Sequence, residues 1–252
     1  MDLENIPVLV TGGSRGLGLG LVEALGSRHA RVTVMARSEE ALASVHDRLG
    51  VATVRADVTD KAAAHRILSE TRPRLLVLNA GATPPMERLD RISWDDFTTT
   101  WMTDVRAGLY WLQAALKLPL ERGSRVLVVS SGAAVNGSPM SGGYAGAKHM
   151  LWVMARYANG VAKEEDLSMR FQVIVPRQMV GGTGVGDAGS TAYAKSMGIS
   201  TEQFLARFGT AMPPRDFGEK VMSVLEDPQF DTGMAFGLKG DTGITVLEEA
   251  AT

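Results

Sequence analysis

The strongest constraint on how this chain can fold is an alternation of short apolar runs with longer stretches of helical period. The runs are "IPVLV" (6–10), "RVTVM" (31–35), "VATVR" (51–55), "RLLVL" (74–78), "RVLVV" (125–129) and "FQVIV" (171–175), with a weaker seventh, "MAFGL" (234–238). Runs that stay apolar at nearly every residue mark strands covered on both faces, as in a parallel sheet. The helical stretches between them cover 16–28, 39–49, 60–71, 94–117, 145–164 and 215–226. Such alternation predicts βαβ units wound into one α/β domain, a doubly wound parallel sheet with helices on both faces. No linker, repeat or composition shift divides residues 1–252. The irregular stretch is 177–214. Its "GGTGVGDAGS" is too rich in glycine for a helix or strand, and a short helical piece, "STEQFLARF", comes after it. A long insertion beyond a strand's carboxyl end is expected to act as a substrate lid.

The first strand runs into "TGGSRGLG" (11–18), which then opens a helical pattern. Glycines after the first strand of such a sheet permit a tight turn and close backbone approach to a pyrophosphate. The phosphates then sit on the helix N-terminus. The loop from Thr11 through Gly12, Ser14, Arg15, Gly16 and Leu17 to Gly18 is therefore expected to hold a dinucleotide. About 20 residues on, a site for NAD would place an acid against the ribose 2′-hydroxyl. Here the second strand ends in Ala36 and Arg37. With Arg15 in the loop, Arg37 can grip a 2′-phosphate through charge-assisted hydrogen bonds, so NADP(H) is the expected cofactor.

Composition excludes other classes. The chain is 45% hydrophobic and 21% charged with a net charge of −2, an ordinary globular balance that argues against nucleic acid as the main partner. It has no cysteine, so disulfides and thiolate metal sites are ruled out. Four scattered histidines offer no ligand cluster, and no metal is expected. No apolar run reaches membrane-span length, and "MDLENIPVLVTGGS" has acids where a signal peptide would carry lysines. A cytoplasmic location without membrane contact is expected.

Within "SGGYAGAKHM" (141–150), Tyr144 and Lys148 stand four residues apart, on one face of a helix. With "TGGSRGLG", "NAGA" (79–82), "SSGAA" (130–134) and "YAGAK" (144–148) in this order, the chain resembles the short-chain dehydrogenase/reductase family. The resemblance covers 6 to about 176 well and the remainder loosely. It implies a single Rossmann-like domain, a sheet of about seven strands, and NAD(P)-dependent interconversion of alcohols and carbonyls. Position by position, it implies Tyr144 as the acid/base, Lys148 as its partner and Ser131, rather than Ser130, as the serine on the substrate oxygen. It also implies Asp57 at the adenine and Asn79 beside the adenosine portion, with Val58, Ala80 and Gly81 among the cofactor-binding residues. Free tyrosine has a pKa of about 10 and is a poor base. A nearby ammonium and a positive nicotinamide ring favour tyrosinate.

Three departures stand out. Where the family has an asparagine behind the lysine, in a water relay, this chain reads "TDVRAGLYW", with Asp104 there. Asp104 is expected to support the relay, bringing a charge and losing an amide donor. After the sixth strand "VPRQMVGGTG" keeps Pro176, puts Arg177 in place of glycine, and has its threonine, Thr183, further along; Pro176 and Thr183 are assigned to the cofactor. Arg177 is expected at the solvent, with an acidic substrate group as the alternative. The tail, "FDTGMAFGLKGDTGITVLEEAAT", lacks the family's final signature, which puts the usual tetramer in doubt; a homodimer through the helices of Trp111 and Trp152 is the other expectation. Trp101, Met140, Met179, Tyr193, Met197 and Phe204 are candidate walls for a hydrophobic ketone or secondary alcohol. The alternatives are a keto-acyl reductase of fatty-acid or polyketide type and a non-catalytic NADP-sensing regulator. Fold alone does not separate them.

Overall fold

The computed structural model describes residues 1–118, 120–180, 182–207 and 211–247. The apolar runs form strands β1 (Pro7–Thr11), β2 (Arg31–Ala36), β3 (Ala52–Arg55), β4 (Leu75–Leu78), β5 (Arg125–Val129), β6 (Arg170–Pro176) and β7 (Ala235–Lys239). These seven pair in parallel in the order β3-β2-β1-β4-β5-β6-β7. An eighth strand, β8 (Gly243–Val246), adds antiparallel to β7. It lies outside the apolar runs of the sequence: in GITV only Ile244 and Val246 are apolar side chains, and they alternate with glycine and threonine. The α/β doubly wound architecture is as the alternation predicts.

Alternate strand residues feed two cores. Leu9, Leu76, Val126, Val128, Val173 and Val175 pack under helices α3 (Lys61–Thr71), α5 (Arg106–Lys117) and α7 (Tyr144–Glu164). Val8, Val10, Leu75, Val77, Leu127 and Ile174 pack under α1 (Gly16–Gly26), α2 (Glu39–Leu49) and α10 (Pro214–Glu226). Because β1 lies between β2 and β4, the connections leave it in opposite directions. A crevice therefore opens at the carboxyl ends of β1 and β4.

The predicted helix over 94–117 is interrupted. Helix α4 (Trp94–Thr100) passes into a π-helical stretch, Trp101–Val105, before α5 begins. A π turn adds one residue to the helical repeat and rotates the helix beyond it, a device frequent at functional sites. The glycine-rich stretch is also corrected: it opens helix α8 (Gly184–Met197), and α9 (Thr201–Ala206) comes next, with α6 (Ala133–Asn136) the remaining short helix. The Thr183 side chain caps α8 by accepting from the Gly186 N–H (3.1 Å), and burial of Gly189, Ser190 and Ala194 offsets the glycine propensity cost. Residues 181 and 208–210 of the expected lid, and 248–252 of the altered tail, lie outside the described residues.

Trp111 is only 1% exposed and donates its indole N–H to the Val58 carbonyl (3.1 Å), so it belongs to the core and not to a subunit interface. Trp152 packs against the same core. Among the described residues no helix is long and apolar enough to cross a membrane.

Candidate active site

The glycine loop is held by its neighbour strand. The Thr11 hydroxyl donates to the Val77 carbonyl (3.2 Å) and accepts from the N–H groups of Asn79 (3.0 Å) and Ala80 (3.2 Å). The Asn79 amide donates to the carbonyls of Thr11 (3.2 Å) and Gly12 (3.1 Å). The side chains of Thr11 and Asn79 thus shape the loop from behind. Gly18 must be glycine: a Cβ there would lie 2.2 Å from the Gly12 carbonyl oxygen and 2.5 Å from the Asn79 amide nitrogen. Ser14 is half-buried in the loop, and Leu17 packs on the core below.

Helix α1 opens differently from several others. The first turns of α2, α3, α4, α8 and α9 are capped by the side chains of Ser38, Asp60, Ser93, Thr183 and Ser200. At α1 the cap position is Arg15, with no side-chain hydrogen bond to the first turn and no acid in it. Its N–H groups and positive dipole end face the crevice without a capping side chain, which is what a bound phosphate requires. This cradle fits the pyrophosphate of a dinucleotide.

Arg15 and Arg37 are exposed, and among the described residues neither forms a salt bridge. Asp57 Oδ1 accepts from the Thr59 N–H (2.8 Å) and hydroxyl (2.7 Å), building the turn into α3. These two bonds, aided by the charge of Arg37, hold its carboxyl below the usual carboxylate range. Arg37 and Asp57 follow strand ends that lie side by side, Ala36 pairing with Arg55 and its carbonyl accepting from the Ala56 N–H (3.1 Å). Val58 itself turns into the core.

The second half of the site lies at the ends of β4 and β5. Tyr144 is the first residue of α7, and Lys148 stands one turn later with its ammonium 5.7 Å from the Tyr144 ring centroid. Both residues are buried, yet no described residue hydrogen-bonds the Tyr144 hydroxyl. The π turn brings Asp104 against Lys148, Oδ2 to Nζ 3.0 Å, with the Asp104 side chain fully buried. Asp104 Oδ1 accepts from the Ala82 N–H (2.8 Å). Gly81 makes this possible, because a Cβ there would stand 2.7 Å from Asp104 Oδ2. Burial alone pushes the Lys148 ammonium down, but the Asp104 carboxylate and then Tyr144 outweigh it, and the group titrates above the ordinary lysine value.

The two serines divide their work. The Ser130 hydroxyl is buried and donates to the Lys148 carbonyl (2.8 Å), tying α7 to β5. Ser131 is half-buried; its oxygen accepts from the Ala133 N–H (3.2 Å), which leaves its proton to donate. The resemblance gives Ser130 no role, although a hydroxyl closing the apolar run VLVV signals a buried partner. The Ala82 amide carries no sequence signal.

Pro176 accepts from the Gly132 N–H (2.8 Å), joining the end of β6 to the Ser131 turn. Thr183 comes beside the glycine loop, its methyl 3.4 Å from where a Gly16 Cβ would lie, but its hydroxyl is engaged in capping and in donation to the Val180 carbonyl (2.9 Å). The Arg177 stem lies over Gly237 of β7, and the residue is exposed, as the solvent expectation has it. Trp101 is a support and not a free wall: it donates to the Gly143 carbonyl (3.0 Å), immediately before Tyr144. Tyr193 stacks on buried Phe204 (5.7 Å), and its hydroxyl meets the Ser138 hydroxyl (2.9 Å) and the Met140 N–H (3.3 Å). This docks α8 onto the 138–140 turn. Met197 is 47% exposed, while Met140 and Met179 remain half-buried.

Fold and site together define an α/β protein with a dinucleotide-type crevice and a tyrosine–lysine pair at its mouth. A family model described as short chain dehydrogenase matches residues 7–180, well over half of the chain. The chain belongs to the short chain dehydrogenase family. It is similar to 3-oxoacyl-acyl-carrier-protein reductase of Escherichia coli, 31% identical over 158 residues, 59% of this chain and 64% of that protein. It is also similar to the NADPH-dependent pterin aldehyde reductase of Arabidopsis thaliana (30% over 167 residues, 62% and 68%) and to versicolorin reductase 1 of Aspergillus parasiticus (29% over 157 residues, 58% and 60%). The similarity thus spans just under two thirds of the bacterial relative's length.

Proposed function

We propose that this protein is an NADP(H)-dependent oxidoreductase that interconverts a ketone or aldehyde with an alcohol, with Tyr144 as the acid/base. The observation that carries the reading is the Tyr144–Lys148 pair at the start of α7, clamped from behind by Asp104 and Ser130. A bound nicotinamide supplies or accepts the hydride. The chain's part is to orient the carbonyl and to move a proton at its oxygen. Tyr144 donates its hydroxyl proton to that oxygen, and Ser131 donates a second hydrogen bond as negative charge develops there. Lys148 stands beside the Tyr144 ring and, with two of its three N–H groups turned to Asp104 and the Val129 carbonyl, keeps one donor for the cofactor ribose. Asn79, Thr11 and the glycines fix the loop that receives the pyrophosphate.

Preference for NADP(H) rests on Arg37 and Arg15 and on Ala36, where an acid would stand for NAD. Arg37→Ala is expected to weaken NADPH binding about 10–100-fold, the range for losing one or two charge-assisted hydrogen bonds, and to leave NADH binding unchanged. Fluorescence titration of both cofactors checks this; equal wild-type affinities would remove the preference.

The similarity to a 3-oxoacyl-acyl-carrier-protein reductase and to a pterin aldehyde reductase favours a carbonyl substrate. The test is NADPH consumption with a panel of hydrophobic ketones, aldehydes and 3-ketoacyl thioesters. Thioesters outrunning simple ketones identify the keto-acyl reading. Tight NADPH binding without turnover on any of them identifies a sensor. Exposed Leu109, Tyr157 and Val161 on α5 and α7 support a homodimer or homotetramer; light scattering that gives a monomer mass would refute the assembly.

A further inference from the structure

We infer that Asp104 cancels most of the positive field of Lys148 at Tyr144, and so sets the site to donate a proton to a carbonyl rather than take one from an alcohol. This inference rests on the proposed role of Tyr144. It starts from a substitution visible in the sequence, a carboxylate where the resemblance implies a neutral amide, and from geometry that only the fold provides.

The carboxylate is fully buried, the lysine side chain is 7% exposed, and the two charges are 3.0 Å apart. Water does not screen a pair so enclosed, so the partners act on their surroundings as a dipole and not as a lone cation. The lysine ammonium stands 5.7 Å from the Tyr144 ring centroid. Unpaired, it would favour tyrosinate strongly; paired, most of that effect goes into the carboxylate. The titratable groups acting on Lys148 are Asp104 from the π turn and Tyr144 from its own helix. From β5 it meets only the Val129 carbonyl (3.4 Å), while Ser130 is engaged with the Lys148 main chain. The arrangement is built for the charge: the Ala82 N–H holds the other oxygen, and Gly81 leaves the space.

The consequence is directional. In reduction, the carbonyl carbon takes a hydride from the reduced nicotinamide and the oxygen takes the Tyr144 proton. The tyrosinate left behind is reprotonated from solvent, and Lys148 stays an ammonium throughout. The starting form is the neutral phenol, which the ion pair preserves. Oxidation needs tyrosinate first, and the ion pair withholds it until higher pH.

The experiment is an ultraviolet titration of tyrosinate in the ligand-free protein. Wild type minus Tyr144→Phe gives the Tyr144 midpoint, and Asp104→Asn minus Asp104→Asn/Tyr144→Phe gives it without the carboxylate. Asp104→Ser, with more room beside Gly81, is the second variant. Both are expected to lower the midpoint by about one pH unit or more, a change of about 1.4 kcal/mol, and to raise alcohol oxidation relative to carbonyl reduction at neutral pH. A midpoint unmoved or raised, in either variant with wild-type unfolding temperature, overturns the inference. The titration uses neither cofactor nor substrate. If the midpoint falls while turnover is indifferent to Tyr144→Phe, the proposed function fails and the electrostatic role of Asp104 stands.

Discussion

Tyr144→Phe is expected to lower kcat/KM for carbonyl reduction by about three orders of magnitude, within the 10²–10⁴ that a positioned general acid contributes and equal to about 4 kcal/mol of barrier. The substitution removes one oxygen and keeps the ring. Among the described residues that oxygen has no hydrogen-bond partner to orphan, and the ring still meets the Lys148 ammonium at 5.7 Å. Folding and NADPH affinity should therefore stay within a few-fold of wild type. The loss is expected in kcat, because the proton transfer belongs to the transition state alone. Steady-state kinetics beside a cofactor titration decide the matter. A variant that retains a third of wild-type turnover would show that another group delivers the proton. A variant that loses NADPH binding along with turnover would show that Tyr144 serves the cofactor instead.

The second large effect concerns stability and arises far from the chemistry. Helices α1 and α10 touch backbone to backbone: a Cβ on Gly20 would lie 2.0 Å from the Pro214 carbonyl oxygen, and one on Gly218 would lie 2.3 Å from the Gly20 carbonyl oxygen. No side chain at this crossing can rotate away. Gly20→Ala must separate the helices, and the cost is expected at about 3 kcal/mol, the upper end for overpacking. For a chain of this size that is a fall of about 6–12 °C in Tm. Because α1 begins in the glycine loop, the same displacement should weaken NADPH binding. Gly26→Ala is the control. It lies at the end of the same helix, with nothing within 4 Å of the added methyl, so it should be neutral or slightly stabilising. Scanning calorimetry on both variants tests the argument. A Gly20→Ala protein melting within about 2 °C of wild type would mean that the two helices yield at little cost.

Much of this is legible in residue order. Seven strands, the glycine loop, the switch to arginine at the end of β2 and the Tyr144–Lys148 spacing are all local. Each depends on residues a few positions apart, and local sterics and hydrophobic period dictate their form. What is lost is long-range or context-bound. The sequence of α8 reads as non-helical because propensity charges each glycine separately, whereas burial of its inner face and the Thr183 cap act on the whole helix. Trp111 reads toward an interface because an amphipathic helix does not reveal which of its apolar residues meet its own sheet. The edge strand β8 has only Ile244 and Val246 as apolar side chains, so no apolar run marks it.

The sequence by itself determined the parallel sheet, the glycine loop at its crevice and the identity of the residues at the crevice mouth, because motifs on successive strand ends must converge where parallel strands finish together. Only the tertiary structure decided what those residues do to one another. A π turn rotates Asp104 onto Lys148, Gly81 leaves room for the carboxylate, and Ser130 and Trp101 fasten α7 so that the pair stays buried. The strength of a charge depends on its distance to the next charge and on the water between them, and neither quantity is written in residue order.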